Sequence, residues 1–193
     1  MSCLGAIILS GGASKRMGVD KGSIAWLGER AIERVAGVAA AVGCGVVITV
    51  GPTDYGLPFV VDDPPLGGPV GGVLAGASAL LQRGCDRALV LPVDAPTVRI
   101  TDLQPLMRIG GSGAAFDGFP LPLSISLAAL PSDASAGWPM KRLVEHAGLK
   151  VIDCPADARL RLRGANTPDE REILLRELAG YEATRKYRAP DNS

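Results

Sequence analysis

The 193-residue sequence predicts an α/β fold in three layers, a mostly parallel central sheet with helices on both faces. Two observations lead there. Short continuous apolar runs alternate with segments whose apolar residues recur at helical spacing, the pattern of successive strand–helix–strand units. The composition agrees: 47% of residues are hydrophobic but only 4% aromatic, and 25 are glycine. Such a chain builds its core from Val, Leu, Ile and Ala and its helix contacts from small residues.

Taken in order, "LGAIILS" (4–10) reads as a strand buried on both sides. From Ala31, the stripe Ile32, Val35, Val38, Ala39 and Val42 predicts an amphipathic helix, stopped by Gly43 and Gly45. "VVITV" (46–50) and "FVV" (59–61) are the second and third strands. Residues 61–76 read as a glycine-rich loop, with Val73, Leu74, Ala77, Leu80 and Leu81 marking a helix that ends near Gly84. "RALVLPV" (87–93) is a fourth strand. "TDLQPLMR" predicts a short helix capped by Thr101, and 113–127 two extended pieces around a turn at Asp117–Gly118. A helix over 138–147, a strand at "KVI" and a last helix from Pro168 to Leu178, N-capped by Thr167, complete the chain. The polar end from Glu182 onward is expected to fray. There is no internal repeat and no long linker, so a single domain is expected.

Twenty Lys plus Arg balance twenty Asp plus Glu, which leaves no overall field to draw the chain onto nucleic acid or an anionic membrane. Cys3, Cys44, Cys85 and Cys154 show no paired spacing and are expected to be buried or idle thiols of a reducing compartment. With no leader-like start and no membrane-length apolar run, a cytoplasmic location is expected.

Three stretches could carry chemistry. In "ILSGGASKRMGVDKG" an apolar strand delivers Gly11 and Gly12, followed by Lys15, Arg16 and Lys21. Bare amides at the carboxyl edge of a parallel sheet, with cations close by, suit a phosphate. The spacing matches neither the P-loop nor the dinucleotide fingerprint. Alone, a glycine turn beside surface charge accounts for it equally well. In "VDDPPLGGPVGG" two aspartates precede Gly67, Gly68, Gly71 and Gly72 and the start of a helix, whose free N–H groups favour an anion; packing glycines and capping aspartates explain the same pattern. In "LVLPVDAPTV", Asp94 ends a strand. It suits Mg²⁺, which takes one or two carboxylates plus phosphate oxygens and water, or a simple turn cap. Together the three point further, because each follows a parallel strand and so opens on the same edge. Donors, cations and a metal carboxylate meeting there could hold a nucleoside triphosphate.

In this order and at these separations the motifs resemble the molybdenum cofactor guanylyltransferase family. "LSGGASKRMGVDK" is similar to its opening pattern, Asp63 before "GGPVGG" to its acidic residue before a glycine-proline turn, "DAP" to its Asp-x-Pro, and "NTPDE" (166–170) to its late signature. "PLPLSISL" loosely resembles its Pro-Leu strand. The likeness runs from about residue 4 to 175. It implies a Rossmann-like, nucleotide-diphospho-sugar transferase-like domain over 1–180, with a nucleotide-binding half to about 100, an acceptor-binding half beyond, and a polar tail over 181–193.

The resemblance further implies that GMP passes from GTP to the phosphate of molybdopterin with release of pyrophosphate, Mg²⁺ serving as cofactor. Leu9, Gly11, Gly12, Ser14, Lys21, Asp63, Gly68, Gly71 and Asp94 would bind the nucleotide. Lys21, Arg16 and Asp94 would serve transfer, Asp94 would hold the metal, and Asn166 would face the acceptor. A molybdoenzyme or a cofactor-delivery protein is the implied partner. Where the family often carries an Asn-rich stretch this chain reads "TVGPTD", and the first Asn of the late signature falls at Gly164. A CTP-using relative, a sugar- or polyol-phosphate nucleotidyltransferase, and a nucleotide-binding regulator without turnover are the competing readings. His146, the only histidine, is expected at the surface.

Overall fold

A computed structural model describes residues 3–11, 20–61, 67–165 and 167–188. Seven strands form one sheet. They are β1 (Leu4–Leu9), β4 (Val46–Gly51), β5 (Phe59–Val61), β6 (Arg87–Pro92), β7 (Gly113–Phe116), β8 (Leu123–Ser126) and β9 (Lys150–Ile152), in the spatial order β5-β4-β1-β6-β8-β7-β9. β2 (Ala25–Trp26) and β3 (Glu29–Arg30) make a separate small hairpin. β1 pairs in parallel with β4 and β6, and β4 with β5, because helices α1 (Ala31–Ala41) and α2 (Gly68–Gln82) supply long crossovers. Among the described strands of this sheet only β8 runs antiparallel, since the turn after β7 is too short for a crossover. In that turn Phe119 N donates to Phe116 O, and Gly118 takes φ +74°.

Alternation along the strands divides the core. Ala6, Ile8, Leu89 and Leu91 face one cluster with Ile32, Leu103, Leu162 and Leu174. These last four come from α1, α3 (Ile100–Met107), α5 (Arg159–Arg163) and α6 (Pro168–Arg188). Ile7, Leu9, Ala88 and Val90 face the other, with Val73 and Leu80 of α2 and Leu143 of α4 (Met140–His146). α2 lies very close on β1: a Cβ at Gly72 would stand 2.8 Å from Leu9, one at Gly76 2.7 Å from Ile7, and one at Gly5 2.4 Å from Leu80.

Three expectations are corrected. α2 begins at Gly68, inside the stretch read as a loop: Pro69 presets the first turn, and close packing on β1 offsets the helix cost of its glycines, about 1 kcal/mol each. α3 starts at Ile100 with Arg99 as N-cap rather than Thr101, because the Asp102 carboxylate accepts from Arg99 N at 2.9 Å. α6 runs on to Arg188, well past Leu178, since Arg34 holds Glu182 at 2.9 Å and the Arg99 guanidinium stacks 4.6 Å from the Tyr181 ring. Its expected cap holds: Thr167 Oγ1 accepts from Glu170 N at 3.2 Å.

The ends of α3 and α5 meet at a buried ion pair. Arg161 donates from Nε and Nη2 to both oxygens of Asp102, at 2.9 and 2.8 Å, and also reaches Asp157 at 3.1 Å and Glu177 at 3.4 Å. The guanidinium hydrogen bond holds the Asp157 carboxyl below its usual range.

All four cysteines are free thiols. Burial pushes Cys44 up to about 12, and burial followed by the hydrogen bond to Asp20 pushes the Tyr55 phenol up to about 12. Both native values exceed the ordinary 9.0 of a thiol and 10.0 of a phenol. The folded state therefore holds these protons more tightly than the unfolded chain. Their contribution is complete below pH 9.0 and is lost as pH climbs toward 12. The urea midpoint should fall across that interval; a flat midpoint would show that these groups do not couple to folding. Among the described residues, no helix is long and apolar enough to cross a membrane.

Candidate nucleotide-transfer site at the carboxyl edge of the sheet

The chain leaves β1 toward β4 on one side and reaches β6 on the other, so the strand order reverses between β1 and β6. That crevice is where open parallel sheets bind ligands. Leu9 lies opposite Pro92, and Val93 N donates to Leu9 O at 3.1 Å. The exit of β1 and the residue before Asp94 are therefore in direct contact. Gly11 is exposed at the edge, and a Cβ on neighbouring Gly51 would come within 2.8 Å of its nitrogen. The Leu9 side chain, by contrast, is packed in the core under Gly72.

Lys21 and Asp94 come together across this crevice: Nζ donates to Oδ2 at 3.2 Å, with the two side chains 42% and 40% exposed. At that exposure the pair contributes about 0–1 kcal/mol at most, so a polyanion or a cation can divide it at little cost. Lys21 opens a short 3₁₀ turn, Lys21–Ser23. Asp20 caps that turn, accepting from Gly22 N at 3.1 Å and from Ser23 Oγ at 2.7 Å. Tyr55 Oη donates to the same carboxylate at 2.6 Å. Burial alone would raise the Asp20 value, but the bonds from Tyr55, Ser23 and Gly22 outweigh it and hold the carboxyl below its usual range.

Two further backbones reach the edge. The start of α2 carries no side-chain cap, with Gly68 exposed and Gly71 buried in its first turn. Gly164, at φ +72°, lies so close to Asp94 that a Cβ there would be 2.0 Å from the Asp94 carbonyl oxygen. The segment leading into the late signature is thus held against the main chain of Asp94. Gly12, Ser14, Arg16, Asp63 and Asn166 lie outside the described residues. His146 is exposed, its ring edge-on to Trp138.

Asp94, one half-exposed carboxylate beside a cation, fits a magnesium ion that draws its other ligands from phosphate and water. Among the described residues no group of three or more His, Cys, Asp or Glu forms a protein cage. A cleft of about 140 Å³ elsewhere, between α1, α6 and the loop after β6, is lined by neither Lys21 nor Asp94.

Sequence reasoning missed Asp20, Gly22, Tyr55 and Gly164. Asp20 stood within the quoted motif and Gly164 was visible as a departure from the family pattern. Tyr55 carried no signal.

This edge, on a seven-stranded mostly parallel sheet, places the protein in the nucleotide-diphospho-sugar transferase class of α/β folds. A family model, the MobA-like NTP transferase domain, matches residues 6–117, more than half of the chain. The chain belongs to that family. A probable molybdenum cofactor guanylyltransferase of Opitutus terrae is 29% identical over 200 residues, covering 92% of this chain and 98% of the relative. Among solved structures, a nucleotidyl transferase from Methanothermobacter superposes with a TM-score of 0.69 at 18% identity, over 94% of this chain and 100% of the other. Molybdopterin-guanine dinucleotide biosynthesis protein A from Archaeoglobus fulgidus gives 0.64 at 20% identity, over 91% and 98%. At such identities the superpositions speak for the fold alone.

Proposed function

We propose that the protein transfers GMP from GTP to the phosphate of a molybdopterin-type acceptor and releases pyrophosphate. The observation that carries this reading is the Lys21–Asp94 contact at the switch point of the sheet, 3.2 Å between a cation and a carboxylate half open to solvent. The name of the Opitutus relative supports the choice of nucleotide and acceptor.

Attack by one phosphate on another brings anions together, so the barrier contains charge repulsion as well as the cost of alignment. Lys21 and, in this reading, Arg16 would place positive charge where negative charge accumulates on the reacting phosphate. Gly11, Gly12 and Ser14 would bind the phosphates. Leu9 would contribute through its main chain. Asp63, Gly68 and Gly71 would contact the base and ribose. Asn166 would bind the acceptor, and Gly164 fixes how near its own backbone comes to Asp94. Asp94 would hold Mg²⁺, which supplies charge neutralisation and orientation of the triphosphate when bound. Alignment of this sort can contribute about 7–11 kcal/mol to the rate.

Lys21→Ala should lower kcat for pyrophosphate release by about 10²–10³ while changing KM for GTP little. An unchanged kcat with a raised KM would assign Lys21 to ground-state binding instead. A thermal-shift series with GTP, CTP, UTP and ATP decides the base. A nucleotide present at about 100 times its Kd stabilises the fold by roughly 2.7 kcal/mol. A shift with CTP alone would replace the guanylyl reading by a cytidylyl one. Nucleotide binding without pyrophosphate release, given acceptor and Mg²⁺, would favour a regulator.

A further inference from the structure

Lys21 is a long, flexible side chain on a three-residue turn, yet its ammonium stands opposite Asp94. Something must hold that turn. Its cap, Asp20, is exposed and could swing away were its second oxygen free, but the carboxylate is held from three sides. Two of the three bonds come from within the turn itself, from Gly22 and Ser23. The third comes from Tyr55, 35 residues away.

Tyr55 is well placed to act as an anchor. Only 6% of it is exposed. Its carbonyl accepts from Arg30 Nη2 at 3.1 Å, and Arg30 is itself paired with Glu33 in the first turn of α1. The hydroxyl end of the ring is packed against the turn: a Cβ on Gly22 would stand 2.6 Å from both Cζ and Oη. The glycine of the Asp-Lys-Gly motif is therefore the residue that lets the ring close over the turn.

We propose that Tyr55 is a positioning residue for Lys21: its hydroxyl fixes the Asp20 cap, and the cap fixes the backbone from which Lys21 reaches Asp94. The catalytic part of this inference rests on the role given to Lys21 under the proposed function; the structural coupling does not. Tyr55 itself touches no reacting group. Removing the phenol oxygen leaves the ring, the packing against Gly22 and the bond from Arg30 in place, so Tyr55→Phe isolates the bond to Asp20.

The test has two arms. In the nucleotide-free protein, the rate of acetylation of Lys21 by an amine-reactive reagent is read by mass spectrometry against Lys141, whose side chain is 87% exposed. Tyr55→Phe should raise the Lys21 rate severalfold toward that of Lys141, and Asp20→Asn should do the same. An unchanged Lys21 rate in a folded Tyr55→Phe protein overturns the proposal whatever the reaction is. In the second arm, pyrophosphate release with Mg²⁺, GTP and molybdopterin is measured for Tyr55→Phe, Lys21→Ala and the double variant. Tyr55→Phe should lower kcat by about tenfold to a hundredfold with KM for GTP nearly constant. The double variant should be no slower than Lys21→Ala, because a residue acting through Lys21 has nothing left to position. Losses that multiply would overturn the proposal, since they would show Tyr55 acting by another route. If Lys21→Ala leaves kcat unchanged while the acetylation arm succeeds, the catalytic role of Lys21 falls and the coupling between Tyr55 and Lys21 stands.

Discussion

Asp94→Ala should reduce nucleotidyl transfer by about 10³ or more while leaving the fold intact. Asp94 stands at the exit of β6, where the end of β1 at Leu9 and the turn bearing Lys21 converge. Removing one preorganised charge from such a site costs about 10²–10³ in turnover. In the proposed reaction Asp94 would also hold the metal, so its loss would remove more than a single interaction. Stability should hardly change, because the carboxylate is 40% exposed and its ion pair is worth about 0–1 kcal/mol. Pyrophosphate release and urea unfolding, measured on the same preparation, separate the two effects. Normal turnover in the alanine variant with Mg²⁺ present would remove Asp94 from the mechanism. An equally large loss of stability would make the residue structural.

Arg161→Ala should show the opposite profile, a loss of about 3–5 kcal/mol of folding stability. Arg161 and Asp102 are both buried, with side chains 5% and 4% exposed and two hydrogen bonds between them. Truncating the arginine leaves the Asp102 carboxylate buried, with the Arg99 N–H as its remaining described donor. It also unties α5 from α6 at Glu177. Against a typical total of about 5–15 kcal/mol, this is a large fraction. A urea midpoint within error of the parent would show that the pair contributes no net stability. Arg161→Met should cost less than Arg161→Ala, since the longer side chain retains some of the packing.

The strands were readable because each is a short apolar run bounded by glycine, proline or charge. β1, β4, β5 and β6 appear close to where their runs lie. Periodicity located α1 equally well. It placed α2 too late because its first turns are glycines, poor helix formers whose presence reflects contact with Leu9 and Ile7 of β1. It ended α6 too early because polar residues dominate beyond Leu178, where Tyr181 and Glu182 are held by Arg99 and Arg34 from other elements. The motifs exposed Lys21 and Asp94 as candidates, but not that they touch.

Strand and helix positions, the glycine exits, and the placing of Lys21 and Asp94 at the ends of their segments were all written in local residue patterns. Patterns of that kind register periodicity over one or two turns and turn chemistry over three or four residues. The meeting of Lys21 with Asp94 across 73 positions, of Tyr55 with Asp20 across 35 and of Arg161 with Asp102 across 59 was decided by the folded chain alone. Such contacts depend on which strand pairs with which and in what register. That choice is settled by burying both faces of the whole sheet at once, a property no short window of residues contains.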